Sequence, residues 1–144
     1  MRVWRISLFA DLSGQGGMLS EARWNVVGTP IVYCADHPAT ALLEMLVHLD
    51  AEDTPSTFQL LEIEIPEAVP IAMPELPENW PQDLAATQQI GSRFIAAMTH
   101  PVMKVPCAIV PFTDNYLLNP ALVDQVKIRI FTVTEHPIDA RLLA

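Results

Sequence analysis

Positive charge is scarce in this chain: 8 Lys and Arg stand against 17 Asp and Glu among 144 residues, a formal net charge of −9. Nucleic-acid binding relies on clustered cations that neutralise phosphates, so this balance argues against a duplex or single-strand binder. Scarcity also makes each arginine worth locating, because Lys does not replace a guanidinium fork that grips phosphate or carboxylate. Cysteine is nearly as rare. Cys34 and Cys107 lie far apart without metal-type spacing. No secretory-type segment precedes the first strand-like run, and a reduced, cytoplasmic setting is expected. Nothing approaches the roughly 18 consecutive apolar residues that a membrane-spanning helix needs, so no membrane partner is expected.

What the chain does have is core-forming material. Apolar residues make up 51% of it and charged residues 17%, and its length suits one compact unit, a single domain over residues 1–144. Val3 to Phe9 begins as a strand-like run, and Asp11 to Gly17, with Gly14, Gly16 and Gly17, reads as a flexible loop. Gly28-Thr29-Pro30 signals a turn before a short buried strand, Ile31 to Cys34, that should end near Asp36. Ala39 to Leu49 has helical period, with Leu42, Leu43, Met45, Leu46 and Leu49 expected to pack inward. Glu44 falls on the opposite side, between Thr40 and His48 one turn either way.

Leu61, Ile63 and Ile65 alternate with Glu62 and Glu64, the period of a half-buried strand over Phe58 to Ile65. Five prolines between Pro66 and Pro81 exclude regular helix there and indicate a surface excursion. Leu84 to Met98 reads as a helix burying Leu84, Ile90, Phe94 and Met98, weakened by Gly91. Val105 to Val110 resembles a strand interrupted by Pro106, Asn115 to Pro120 a loop or strand end, and Val126 to Val133 a final strand. Without regular βαβ spacing these elements give an α+β fold, with small mixed or antiparallel sheets and flanking helices. Gly14-Gln15-Gly16-Gly17 lacks the lysine of a P-loop and the spacing of a dinucleotide fingerprint, which rules out a Rossmann reading.

Spacing alone favours bland roles. Glu44 reads as a solvated helix carboxylate beside His48, Arg5 and Arg23 as arginines with packed stems, and Tyr33 as core packing. Asn119 before Pro120 is an ordinary turn signal. His37, His100 and His136 each precede proline and look like loop residues, and no histidine pairs with a nearby cysteine as metal ligands would.

The order of the polar residues says more. Arg5 in Trp4-Arg5-Ile6-Ser7, Arg23 in Ala22-Arg23-Trp24-Asn25, Tyr33 after two aliphatics and Glu44 in Ala41-Leu42-Leu43-Glu44 follow one another along the chain. Val105-Pro106-Cys107-Ala108 and Asn115-Tyr116-Leu117-Leu118-Asn119-Pro120 come after them. Taken in this order the segments resemble the RES family over nearly the whole chain.

That resemblance implies an ADP-ribosyltransferase-like fold and an NAD⁺-consuming toxin, acting as phosphorylase, glycohydrolase or ADP-ribosyltransferase as the acceptor is phosphate, water or a protein. NAD⁺ is then a substrate, and no prosthetic group is implied. Glu44 would steady the oxocarbenium-like transition state, Arg5 and Arg23 would hold the pyrophosphate, and Tyr33 would shape the nicotinamide pocket. Asn119 would bind a ribose or amide edge. The family's Arg and Glu match Arg23 and Glu44, but its serine position is occupied by Cys107, and the glycine often found before the Arg is Ala22. A thiol is a poorer donor than a hydroxyl, so ligand contact at Cys107 should be weaker. The implied partner is a cognate helix-turn-helix antitoxin that blocks the NAD⁺ site, with a homodimer compatible with such a complex. The contrasting reading is a non-catalytic binding module in which Cys107 marks decay of the site.

Overall fold

Alternating apolar and polar residues give the strands their two faces, and turn residues set their ends. In the computed structural model, which describes residues 1–50 and 52–143, the order is β1 (Arg2–Ile6), α1 (Gln15–Leu19), β2 (Val32–Ala35), α2 (Pro38–Val47), β3 (Thr57–Glu64), β4 (Ile71–Ala72), α3 (Leu84–Ala97), β5 (Val102–Pro106), β6 (Asp114–Leu118) and β7 (Arg129–Pro137). Among the described residues the strands form one seven-stranded sheet, ordered β4-β5-β6-β2-β1-β3-β7. Every pairing is antiparallel except β4 with β5. The α+β expectation holds, with one mixed sheet.

Each face of the sheet carries its own core. Val3, Val32, Cys34, Leu61, Ile63, Val102, Tyr116 and Leu118 project to one side. Trp24, Ile31, Phe94, Met103, Val105 and Leu117 cluster on the other, under α3. The alternation in β3 is realised as read, with Leu61, Ile63 and Ile65 buried. Near the middle the sheet comes apart. β1 pairs with β3 from Arg2–Glu64 to Ile6–Leu60, but it meets β2 only at Trp4–Ala35. The Tyr33 carbonyl accepts instead from Arg5 Nη1, at 3.2 Å. A side chain thus satisfies a backbone group that a continuous ladder would have used.

Several segments differ from their sequence reading for identifiable reasons. The glycine-rich loop contains α1, entered through Gly14 at φ 72°. Gly17 lies so close to Thr29 that a Cβ would stand 2.3 Å from its carbonyl oxygen. Of the two readings of Asn115 to Pro120, the strand end holds for Asn115 to Leu118: β6 runs between β5 and β2 and stops before Pro120. β5 begins earlier, at Val102, which leaves Pro106 at its end rather than in its middle. β7 begins at Arg129 rather than Val126 and extends to Pro137 as an edge strand with almost every residue exposed.

On α2 the fully buried residues are Thr40 and Ala41, with the leucines half-buried, because only small side chains fit where the helix comes closest to the sheet. On α3 the buried residues are Thr87, Gly91 and Phe94, while Leu84 and Met98 are exposed. The proline-rich stretch does more than cross the surface. It supplies edge strand β4 and buried Val69, and Trp80 stacks on Trp24 with ring centroids 5.9 Å apart.

Candidate active site

The position of Glu44 follows from how α2 starts. Pro38 opens the helix, where its missing N–H costs nothing, and the His37 ring accepts from Ala39 N at 3.1 Å. The preceding Asp36 carboxylate accepts from the Thr113 hydroxyl, from Asp114 N (2.9 Å) and from Thr40 Oγ1 (3.5 Å). These bonds tie the first turn of α2 to the chain entering β6. One turn later Glu44 Oε1 accepts from Asn115 Nδ2 at 2.9 Å and from Cys107 Sγ at 3.4 Å. Glu44 therefore faces the β5–β6 connection, and the expected pairing with His48 is not made.

Burial pushes the Cys107 thiol above its ordinary range; N–H groups of Val110 and Ile109 oppose the rise, and Glu44 adds to it. At neutral pH the group is a neutral donor rather than a thiolate nucleophile. Cys107→Ser is then expected to match or modestly exceed the parent in any reaction that uses Glu44, since a hydroxyl is the stronger donor. A large loss of turnover would show that the sulfur does something a hydroxyl cannot.

Arg23 sits on a turn that α3 fastens in place. Thr87 Oγ1 donates to the Arg23 carbonyl at 2.6 Å, and Gln88 Nε2 donates to the carbonyls of Ala22 (3.1 Å) and Asn25 (3.3 Å). Fully buried Asn25 donates to the carbonyl of Ser20 (2.9 Å) and accepts the Tyr33 hydroxyl at 2.6 Å, and that hydroxyl in turn accepts from Trp24 N at 3.1 Å. The Tyr33 phenol is thereby occupied and held neutral by burial, well above its ordinary pKa. Only its ring remains to shape the site. The Arg23 guanidinium donates to Pro81 O at 3.1 Å and lies 5.6 Å from the Trp80 ring centre.

Arg5 occupies the gap between β1 and β2 and is 9% exposed. Among the described residues it bonds, besides Tyr33 O, only Ser7 Oγ, and its Nε has no partner there. Burial lowers its pKa, against opposing effects of Cys34 and Asp11, yet a guanidinium stays charged at any ordinary pH. Among the described residues neither Arg5 nor Arg23 makes an ion pair.

These side chains meet at a cavity of about 640 Å³ in the gap of the sheet, whose walls include Arg5, Arg23, Tyr33, Glu44 and Asn115. Cys107 reaches it through its bond to Glu44. Asn119 does not. It is 1% exposed, its amide donates to Ile95 O (3.2 Å) and its carbonyl accepts from Ala121 N (3.1 Å), so it closes the turn after β6. Asn115 and Asn25 are the residues that sequence reasoning missed; both stood inside quoted segments, but nothing in their spacing set them apart. No group of three or more His, Cys, Asp or Glu suited to a metal converges among the described residues, and no helix of the described residues is long and apolar enough to cross a membrane.

Residues 2–139 match the model of the RES domain. The chain is 46% identical over 123 residues to Toxin Res of Pseudomonas putida, covering 83% of this chain and 85% of that protein. It is 37% identical over 153 residues to the Prs ADP-ribosylating toxin of a Sphingobium species, covering 97% and 95%. Among solved structures, a chain of the M. tuberculosis MbcT–MbcA toxin–antitoxin complex superposes with a TM-score of 0.72 at 17% identity, over 94% of this chain and 84% of that one. At that identity the likeness concerns the fold.

Proposed function

The chain belongs to the RES domain family, and from that premise we propose that it is a toxin that consumes NAD⁺ by breaking the bond between nicotinamide and ribose. The observation that carries this reading is a helix carboxylate, Glu44, fixed by two donors in a cavity whose walls hold two guanidinium groups without carboxylate partners among the described residues. Loss of nicotinamide leaves positive charge on the ribose, and a preorganised carboxylate stabilises that charge as it develops. A buried cation lacking a counterion is costly on its own, and a bound pyrophosphate would supply the missing negative charge. The cavity volume lies within the range of small-molecule sites.

Arg5 then serves binding as well as satisfying the Tyr33 carbonyl. Arg5→Met removes a desolvated charge at similar volume but leaves that carbonyl without its donor, opposing effects that should keep the melting temperature within a few degrees of the parent, while KM for NAD⁺ rises by about tenfold to a hundredfold. A fall in stability with unchanged KM would instead make Arg5 a strut between β1 and β2.

The test of the function is direct. Purified protein is incubated with NAD⁺ in the absence and presence of phosphate, and released nicotinamide is measured alongside the ADP-ribosyl product. A phosphorylated product identifies phosphate as the acceptor, free ADP-ribose identifies water, and label retained on a protein identifies an ADP-ribosyltransferase. The name of the Sphingobium relative favours the third arm. Intact NAD⁺ under all conditions would favour the non-catalytic binding module, for which the cysteine at position 107 is the one supporting observation. The proposed partner is an antitoxin that covers the cavity, in keeping with the complex in which the structural neighbour was solved.

A further inference from the structure

Asn115 carries an unused acceptor at the heart of the site. Its residue is 8% exposed, and its Oδ1 is buried without any hydrogen-bond partner among the described residues. The orientation of the amide is not arbitrary. A carboxylate oxygen only accepts, so the atom 2.9 Å from Glu44 Oε1 must be the NH₂ end, which leaves the carbonyl end as the orphan. Nor can the backbone easily turn it away, because Asn115 lies in β6, in register with Ala35 of β2 on one edge and Val105 of β5 on the other. Buried acceptors without partners are rare and costly in folded proteins, and one in the wall of a ligand cavity calls for a donor on the ligand.

The two ends of one amide lie closer together than a hydrogen bond is long. Asn115 Oδ1 and Glu44 Oε1, joined through Nδ2, thus stand within about 5 Å of one another, a span that the two neighbouring hydroxyls of a cis-diol can bridge, one to each acceptor. Resting on the NAD⁺ reading above, we infer that Asn115 and Glu44 together clamp the diol of the nicotinamide ribose, Glu44 accepting from one hydroxyl and Asn115 Oδ1 from its neighbour. Asn115 is then a substrate-binding residue that selects ribosyl over deoxyribosyl substrates. A site built to bond a hydroxyl rejects the analogue lacking it, because the buried acceptor is again left unpaired.

The experiment is a cycle between protein and substrate. Nicotinamide release is measured as kcat/KM for the parent and Asn115→Ala, with NAD⁺ and with analogues lacking the 2′- or the 3′-hydroxyl of the nicotinamide ribose. Changes in the intrinsic reactivity of an analogue cancel in the variant-to-parent ratio. Asn115→Ala should lose about tenfold or more on NAD⁺. On the deoxy analogue that lacks the hydroxyl facing Oδ1 that loss should shrink to the part owed to the Asn115 bond to Glu44, and on the other it should persist in full. If the loss is the same on all three substrates, Asn115 acts only through Glu44 or through packing, and the clamp is wrong. Should Asn115→Ala fail to fold, the parent still decides, because equal turnover of NAD⁺ and both analogues, corrected for their uncatalysed rates, overturns the inference. Absence of nicotinamide release by the parent from NAD⁺ itself removes the NAD⁺ reading instead, so the two failures are distinguishable.

Discussion

Glu44→Gln should cut nicotinamide release by about a hundredfold to a thousandfold, the size of effect found when one preorganised stabilising group is removed from a transition state. The substitution is close to isosteric, and the glutamine carbonyl can still accept from Asn115 and Cys107, which now hold Glu44 Oε1. The melting temperature should therefore stay within about 2 °C of the parent. The loss should fall mainly on kcat, because the amide NH₂ can donate to a ribose hydroxyl oxygen in the ground state, reversing that bond, but carries no charge to answer the cation that develops later. Turnover within about threefold of the parent in a folded Glu44→Gln protein would leave the carboxylate without a chemical role, and the proposed mechanism with it.

Much of the sheet could be read from the sequence where burial on one face imposes a period. Leu61, Ile63 and Ile65 alternate because one side of β3 meets the core and the other does not. Periodicity failed where a strand is defined by its neighbours. β6 carries Asn115, Tyr116, Leu117 and Leu118 in succession, and its place between β5 and β2 depends on long-range pairing that no local pattern encodes. α2 and α3 were found as helices, and Phe94 and Ile90 meet the core as read, yet the closest approaches were missed, because both helices meet their supports through small residues: Thr40 and Ala41 on α2, Thr87 and Gly91 on α3. The hydrophobic period marks where leucines cluster. It does not mark where a backbone must pass close.

The site was legible in a similarly uneven way. Arg5, Arg23, Tyr33 and Glu44 came from residue order, and all four line the cavity. Asn119 sounded equally plausible before a proline, and it proves to be occupied by Ile95 and Ala121 backbone. Asn115 sits four residues earlier in the same segment, on the opposite sheet face from Tyr116 and Leu118, and that parity turns it toward Glu44. Parity can be assigned only once the segment is known to be a strand. Asn25 was likewise hidden: its role is to hold Ser20, Val26 and Tyr33 around the Arg23 turn, a set of partners brought together by folding alone.

Gly91→Ala should be among the most damaging single substitutions in the chain, although glycine in a helix interior is ordinarily a weakness that alanine relieves. A Cβ at position 91 would stand 1.7 Å from the carbonyl oxygen of Trp24 and 2.7 Å from its carbonyl carbon, backbone atoms that cannot rotate aside. Relief requires α3 to withdraw from the Arg23–Asn25 turn, which would loosen the Thr87 bond to Arg23 O and the Gln88 bonds to Ala22 O and Asn25 O. Trp24, 1% exposed and stacked on Trp80, would lose its packing at the same time. A destabilisation of about 3 kcal/mol or more is expected, a fall of roughly 10 °C in melting temperature. Any protein that remains folded should bind NAD⁺ more weakly, because Arg23 moves with its turn. Gly16→Ala is the matched control: that glycine also lies in a helix, at negative φ, and a Cβ there meets nothing within 4 Å. Equal melting temperatures for the two variants would mean that α3 does not press on this turn, and that the placement of Arg23 owes nothing to Gly91.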